Sequence, residues 1–186
     1  MDVLSGITLA APAGVNAYIP LLAVAVAERL GWLHLDSPYD VLGSWWVIAI
    51  VAVLLAVEVV ADKIPAVDHV NDVIQTVVRP AAGGLLAVSA SGEGTVSPVV
   101  LVVAGVLIAG GVHAVKASAR PVVNVSTAGA GAPVVSTLED IGAAIVTVLA
   151  LLVPVLAAAL VVATVVLAIV LIRRWKRRHP RARTSS

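Results

Sequence analysis

The chain has 186 residues, of which 60% are hydrophobic and only 12% are charged, and its mean hydropathy is +1.07. Globular proteins carry about 25% charged residues, so this composition excludes an ordinary soluble domain and predicts an integral membrane protein. The chain contains no cysteine, which excludes disulfides, thiolate metal sites and cysteine nucleophiles.

The long apolar runs predict the fold class. A bilayer core of about 30 Å needs roughly 20 apolar residues for each helical span. We therefore expect an all-α fold, a polytopic transmembrane helical bundle of about five spans with broken helices, in a single domain over residues 1–172. The lipid bilayer is accordingly the first expected partner.

The first apolar segment, Val3 to Leu30, is interrupted. Pro12 and Gly14 are expected to break the helix, because proline removes a backbone donor and clashes with the preceding turn. Asn16 and Pro20 follow within two turns. One interpretation is a proline kink in which Asn16 bonds a neighbouring helix. The other is a discontinuous helix whose broken ends help to form a site. No basic residue precedes the segment, so we expect it to be retained.

The second span, Gly43 to Ala61, carries acidic residues at its end. Glu58 and Asp62 are four residues apart and share one helical face, so either a cation lies between them or one of them stays protonated. Lys63 and Arg79 are the nearest counter-ions in the sequence. We predict that Arg79 is buried and pairs with one carboxylate, which leaves the other to hold a proton or an exchangeable cation.

A polar stripe follows, and its members recur at helical spacing: Asp68, Asp72, Gln75 and Arg79. Valine and isoleucine occupy much of the remaining surface, which is typical of an amphipathic helix. The stripe lies either in solvent at the interface or inside the bundle opposite Glu58 and Asp62. His69 belongs to the same stretch, and we expect the helix to end at Arg79-Pro80.

Small residues and a second polar group mark the next span, Val99 to Val115. Glycines at 83, 84, 105, 110 and 111 are typical of closely packed membrane helices. His113 lies near the end of the span, where it is either a paired interfacial residue or a proton carrier. Arg120 follows it, directly before a second proline.

The C-terminal third is almost uncharged. Residues Ser136 to Glu139 read as a capping box that opens a helix. From Ile141 to Ile172 there are 32 residues without a charge, which would form a helix of about 48 Å. Pro154 lies near the middle, and we expect one long kinked helix rather than a hairpin.

The basic residues are unevenly distributed. Seven of the 12 lysines and arginines lie between Arg173 and Arg183, so we expect residues 173–186 to be a cytoplasmic tail that contacts anionic headgroups. Such a tail serves topology, so no nucleic-acid partner is expected. Five spans would, however, put Lys63, Lys116 and Arg120 outside, unless the N-terminal break is re-entrant or Leu138 to Val153 only dips into the membrane.

Four short blocks of the sequence are similar to one known family. They are Gly14–Pro20, Ser44–Trp46, Glu58–Pro65 and Arg79–Gly83, and together they resemble the bacterial membrane family catalogued as domain of unknown function 4126. The resemblance implies a small polytopic membrane domain. The family's function is unassigned, so no catalytic residues carry over.

Ionisable groups at membrane depth are costly and usually functional. The candidate polar network consists of Asn16, Glu58, Asp62, Lys63, Asp68, His69, Asp72, Gln75, Arg79, His113 and Arg120. We expect a channel or secondary transporter for a small ion or solute, with a small cation or proton as ligand. The alternative is a non-catalytic scaffold or assembly component of a larger complex.

Other expectations follow from what the sequence lacks. There is no metalloprotease, nucleophile-elbow or Ser/Lys motif, so we expect no enzyme, no cofactor and no bound metal. We expect a multi-pass protein of the cell inner (cytoplasmic) membrane with its C-terminus inside. A homo-oligomer is compatible with the small-residue faces, and the sequence leaves the oligomeric state open.

Overall fold

In a computed structural model, the structure describes residues 2–92, 96–128 and 130–178, without the side chains of residues 65, 66, 68, 69, 168, 169, 171, 172 and 174–178. Seven α-helices form within these ranges: α1 Val3–Val15, α2 Tyr18–Arg29, α3 Trp45–Ala61, α4 Pro65–Ser89, α5 Pro98–Ser126, α6 Ala132–Leu152 and α7 Pro154–Arg178. A 3₁₀ turn, Tyr39–Gly43, precedes α3. The predicted all-α class with broken helices is confirmed.

The surface of the bundle is that of a membrane protein. α5 and α6 are long and apolar enough to cross a bilayer, and only 22% of each apolar window is buried inside the protein. The core helix of a soluble protein is mostly buried instead. α3 buries only Glu58 and Ala61 and exposes its valines and leucines. Apolar surface this extensive is stable in lipid rather than in water.

Contacts between helices define two ends of the bundle. A Cβ atom at Gly6 of α1 would collide with Ser91, just beyond α4, whereas the Lys116 ammonium of α5 reaches the carbonyl of Val15 at the other end of α1. α1 therefore runs parallel to α5 and antiparallel to α4. We call the end that holds Val15 and Lys116 the charged end, and the end that holds Gly6 and Ser91 the opposite end.

The N-terminal segment forms a broken hairpin. α1 has 13 residues, so it is about 20 Å long, less than the hydrocarbon thickness of about 30 Å. It stops at Val15, and α2 starts at Tyr18 and runs back. The connection after α2 lies at the opposite end, where Asp36 lines a cavity together with Gly92. The helix is discontinuous, as one interpretation predicts, but Pro12 and Gly14 lie inside α1 and the break follows Val15.

The helix end predicted at Arg79-Pro80 is wrong, and the proline after Arg120 does not end its helix either. α4 continues through Pro80, and α5 continues through Pro121. Neighbouring helices allow proline inside membrane helices, because packing and local adjustment offset the lost hydrogen bond. The predicted capping box is also wrong, since Ser136 and Glu139 lie inside α6. That helix begins at Ala132, next to a proline in its first turn.

The single long helix predicted for Ile141 to Ile172 is wrong as well. Val153 leaves the helical conformation (φ −143°, ψ 73°), and Pro154 starts α7. Gly142 and Thr164 line one cavity, whereas a continuous helix would separate them by about 33 Å. α7 therefore folds back along α6. A residue before proline avoids the helical region, and proline fits the first turn of a new helix.

α4 and α5 pack most closely at their glycines. A methyl group at Gly105 would collide with the carbonyl oxygen of Gly83, so a larger residue would force the helices apart. Leu9, Val24 and Leu86 fill the core beside this contact. The close-packing role predicted for these two glycines is confirmed, while a Cβ at Gly111 would meet no atom within 4 Å.

Candidate functional site

The charged end of the bundle contains a buried ionic network. Its members come from the α1–α2 break and from α3, α4, α5 and α6: Asn16, Glu58, Asp62, Lys63, Asn71, Asp72, Gln75, Thr76, Arg79, His113, Lys116, Arg120, Glu139 and Asp140. Groups of opposite charge lie within a few ångströms of one another. Buried charges require such pairing, because lipid and protein interiors solvate ions poorly.

Arg79 lies at the centre of this network. Its side chain is 0% exposed, and its Nη2 atom lies 2.8 Å from Glu58 Oε1. The same nitrogen lies 3.8 Å from Asp62 Oδ2, and Nη1 lies 3.9 Å from Asp72 Oδ1. Arg79 is thus buried and paired with an acidic group of the 58–72 stretch, as the sequence predicts.

Asp62 has partners that the sequence does not suggest. Its Oδ2 atom receives Lys116 Nζ at 3.2 Å and Arg120 Nη2 at 3.0 Å, and its Oδ1 atom accepts from Asn71 at 2.7 Å. The expectation that one carboxylate of the Glu58–Asp62 pair lacks a protein counter-ion is therefore wrong. Two cations of α5 neutralise Asp62.

Glu139 connects α6 to the same two cations. Its Oε2 atom lies 3.1 Å from Lys116 Nζ and 2.9 Å from Arg120 Nη2. Lys116 also donates to the Val15 carbonyl at 2.8 Å, one of the carbonyls left without a helical partner at the end of α1. The broken end of α1 is thereby part of the ionic network.

Asn16 joins the start of α2 to α6. Its Oδ1 atom accepts from the backbone amides of Tyr18 (3.1 Å) and Ile19 (3.2 Å), which caps α2. Its Nδ2 atom donates to Asp140 at 2.9 Å. Lys63 lies 3.8 Å from the other oxygen of Asp140, and its side chain is 34% exposed. Asn16 therefore both caps a helix and bonds a neighbour, so both sequence interpretations apply to it.

His113 bridges α5 and α4. Its Nδ1 atom lies 2.9 Å from Arg79 Nη1, and its Nε2 atom lies 3.1 Å from the Thr76 hydroxyl. The side chain is buried within the bundle. His113 is thus a paired residue of the network, in contact with its central cation.

Several buried polar atoms around Arg79 have no hydrogen-bond partner among the described residues. Three of them are acceptors, Glu58 Oε2, Asp72 Oδ1 and Gln75 Oε1, and one is a donor, Arg79 Nε. Glu58, Gln75 and Arg79 are each at least 98% buried. Such atoms are costly unless they bind a further group, and the excess of acceptors favours a proton, a small cation or a hydrogen-bond donor.

The polar stripe of α4 faces the interior. Gln75 and Arg79 are buried, whereas Val70, Val73 and Val77 are exposed on the opposite face. The interpretation of a solvated stripe at the interface is therefore wrong. The backbone of Asp68 and His69 lies in α4, but the side chains of these two candidates lie outside the described part of the structure.

The helical rise along α5 gives the distance of the network residues from the start of that helix. At 1.5 Å per residue, Arg120 lies about 33 Å and His113 about 22 Å from Pro98. Trp45 and Trp46, both exposed at the start of α3, are suited to the interface of the opposite end. A hydrocarbon core of about 30 Å that began at Pro98 would end near Arg120 and would contain His113.

Sequence reasoning missed five members of the network: Asn71, Thr76, Lys116, Glu139 and Asp140. The signal that could have found Lys116 is its spacing, because residues 113, 116 and 120 recur at three and four along α5 and share one buried face. Glu139 was interpreted as a helix cap. Among the described residues, no three His, Asp or Glu side chains converge in a way that would hold a metal ion.

Comparison with known proteins gives one result on family. No curated protein and no solved structure matches the chain. The family described as domain of unknown function (DUF4126) matches residues 3–174, which is nearly the entire chain. This membrane-type helical bundle with its buried ionic network therefore belongs to the DUF4126 family.

Proposed function

We propose that this protein is a secondary transporter or channel for a small ion or solute, in which a proton or small cation engages Glu58. One observation carries the proposal: a helix broken inside the bundle ends on a buried ionic network. Val15 at the end of α1 accepts from Lys116, and Asn16 before α2 bonds Asp140. Secondary transporters commonly build their sites from the ends of discontinuous helices.

The polar atoms near Arg79 support a cationic or proton ligand. Glu58 Oε2 and Gln75 Oε1 are buried acceptors without a partner among the described residues, and they lie on two different helices. Glu58 is bonded through its other oxygen to Arg79. Protonation of Glu58 would weaken this pair, so proton binding and a rearrangement of Arg79 are coupled in this scheme.

The two ends of the bundle support an orientation in the cell inner membrane. Lys63, Lys116 and Arg120 lie at the charged end, and α7 runs back to that end before the basic residues Arg173 to Arg183. With α1–α2 as a re-entrant hairpin, α3 to α7 cross the bilayer and all these cations fall on one side. The positive-inside rule then makes this side, and the C-terminus, cytoplasmic.

Flux measurements in proteoliposomes test the transport function. Glu58→Gln should leave the protein folded and abolish proton- or cation-coupled flux, while the matched change Asp40→Asn, at an exposed site of the opposite end, should not affect it. Normal flux in Glu58→Gln would rule out this site. If Glu58→Gln changes only stability and wild-type protein moves no ion, the network is structural, as in the scaffold alternative.

A further inference from the structure

A continuous apolar groove runs along the outside of the bundle between α1, α5, α6 and α7. Two cavities of about 420 and 610 Å³ form it, and they share Ala11, Val112 and Val161 as lining residues. One cavity extends to Leu4 near the opposite end, and the other extends to Glu139. Valine, leucine and isoleucine form most of the lining.

We propose that this groove binds one acyl chain of a membrane phospholipid whose amine headgroup contacts Glu139. The groove follows α1 from Leu4 to Val15, which is about 16 Å at 1.5 Å per residue. One leaflet of a bilayer has a hydrocarbon depth of about 15 Å. The groove therefore has about the length of a single lipid chain.

The polarity of the groove fits an amphiphile. Two of its polar residues, Thr8 and Thr164, donate their hydroxyl groups to backbone carbonyls of their own helices. Glu139 is the charged residue among those that line the groove, and it lies at one end. Because Glu139 pairs with Arg120, it lies at the depth where the headgroups begin. The rest of the groove is in hydrocarbon.

The charges at this end favour a headgroup that donates hydrogen bonds. The Glu139 side chain is 22% exposed, whereas its partners Lys116 (4%) and Arg120 (7%) are buried behind it. The nearby Asp140 is 14% exposed and is shared with Lys63. A lipid head that approaches along the groove therefore meets a carboxylate before it meets a cation. A primary ammonium group complements this carboxylate, and a phosphate group alone does not.

Substitutions at two glycines can fill the groove. A Cβ atom at Gly111 or at Gly142 would meet no atom within 4 Å, and the two residues line the two cavities. Gly111→Leu and Gly142→Leu should therefore fill the groove without disturbing the helix packing. Ala52→Leu adds a large side chain at an exposed position of α3, away from the groove, and serves as the control.

Native mass spectrometry of the full-length protein tests the proposal without any flux measurement, so its failure is distinct from failure of the proposed function. The protein is reconstituted in vesicles of equal phosphatidylethanolamine and phosphatidylcholine, which share a phosphate but differ in ammonium N–H donors. We expect one retained lipid per chain, with about tenfold preference for phosphatidylethanolamine, as a charge-assisted hydrogen bond of about 1.5 kcal/mol allows. Ala52→Leu should behave like wild type.

The variants separate chain binding from head binding. Gly111→Leu and Gly142→Leu should retain less than about a tenth of the lipid, and Glu139→Gln should retain the lipid but lose the headgroup preference. Equal retention of both lipids by wild-type protein would overturn the amine assignment. Unchanged retention in both glycine variants would overturn the groove. So would a wild-type dimer that these variants dissociate, because a second copy would then cover it.

Discussion

Arg79 and His113 determine each other's hydrogen-bonding state. Arg79 Nη1 lies 2.9 Å from His113 Nδ1, and a guanidinium group has donors only. His113 Nδ1 must therefore be the acceptor, which makes the imidazole neutral with its proton on Nε2. His113 Nε2 donates this proton to the Thr76 hydroxyl oxygen, which lies 3.1 Å away. The Thr76 hydroxyl in turn donates its own hydrogen to the backbone carbonyl of Asp72 at 2.8 Å. Each of these three hydrogen bonds therefore joins one donor to one acceptor.

The first prediction follows from this chain of bonds. His113→Leu should lower the free energy of unfolding by about 1–3 kcal/mol, because a buried Arg79 donor loses its acceptor. His113→Asn should be milder, since its amide oxygen can replace Nδ1 as the acceptor. Unfolding in detergent measures both variants, and ¹⁵N NMR of wild-type protein should show the Nε2–H tautomer. Equal losses in the two variants, or a proton on Nδ1, would contradict this assignment.

The second prediction concerns the Arg79–Glu58 pair. Arg79→Ala should lower the free energy of unfolding by about 3–5 kcal/mol, because Glu58 would remain buried without its counter-ion. Arg79→Gln combined with Glu58→Gln should be less damaging than the sum of the single changes, since both charges are then removed. Thermal unfolding of the wild type, the two single variants and the double variant in one detergent completes this double-mutant cycle.

A cation at the opposite end provides the control for that cycle. Arg29 is exposed and lies over the Trp45 ring, 4.9 Å from its centroid. Arg29→Ala should cost about 1 kcal/mol or less, as exposed cation–π contacts do. If Arg79→Ala is as mild as Arg29→Ala, Arg79 is solvated and the network is not the centre of the bundle.

The third prediction tests the tip of the α1–α2 hairpin. Asn16→Asp keeps the oxygen that caps α2 but brings a like charge to within hydrogen-bond distance of Asp140. The change should be destabilising. A second change, Asp140→Asn, should restore stability, because the new amide at position 140 can donate to the carboxylate at position 16. Asn16→Ala should cost about 0.5–2 kcal/mol through the lost cap alone. Equal stability of Asn16→Asp with and without Asp140→Asn would exclude the contact.

The fourth prediction concerns membrane orientation. The chain has no cysteine, so each single-cysteine variant carries one thiol. In intact cells, an impermeant maleimide should label Ser37→Cys, which lies at the opposite end. It should label Ser126→Cys and Ser186→Cys only after the membrane is opened, because the proposed orientation places the charged end in the cytoplasm. Labelling of Ser126→Cys in intact cells would refute the proposed orientation of the bundle.

Much of the fold could be predicted from local properties of the sequence. The composition determined a helical membrane protein, because apolar runs of this length are stable only in lipid. Helical spacing determined that the polar side chains of α4 share one face, and the order of charges predicted that Arg79 pairs with one carboxylate of Glu58 and Asp62. A break in the first apolar segment was also predicted, although α1 continues through Pro12 and Gly14 and ends at Val15. Each of these inferences depends on neighbours within a few turns.

Only the tertiary structure decided which helices meet. Asp62 is neutralised by Lys116 and Arg120, which lie 54 and 58 residues away, and helical spacing reports the direction of a side chain on its own helix but not the helix that it faces. The prolines show the same limit. Pro80 and Pro121 stay inside helices, whereas Val153-Pro154 reverses the chain. The local cost of proline is similar at all three sites, so the packing of neighbouring helices decides between continuation and a turn.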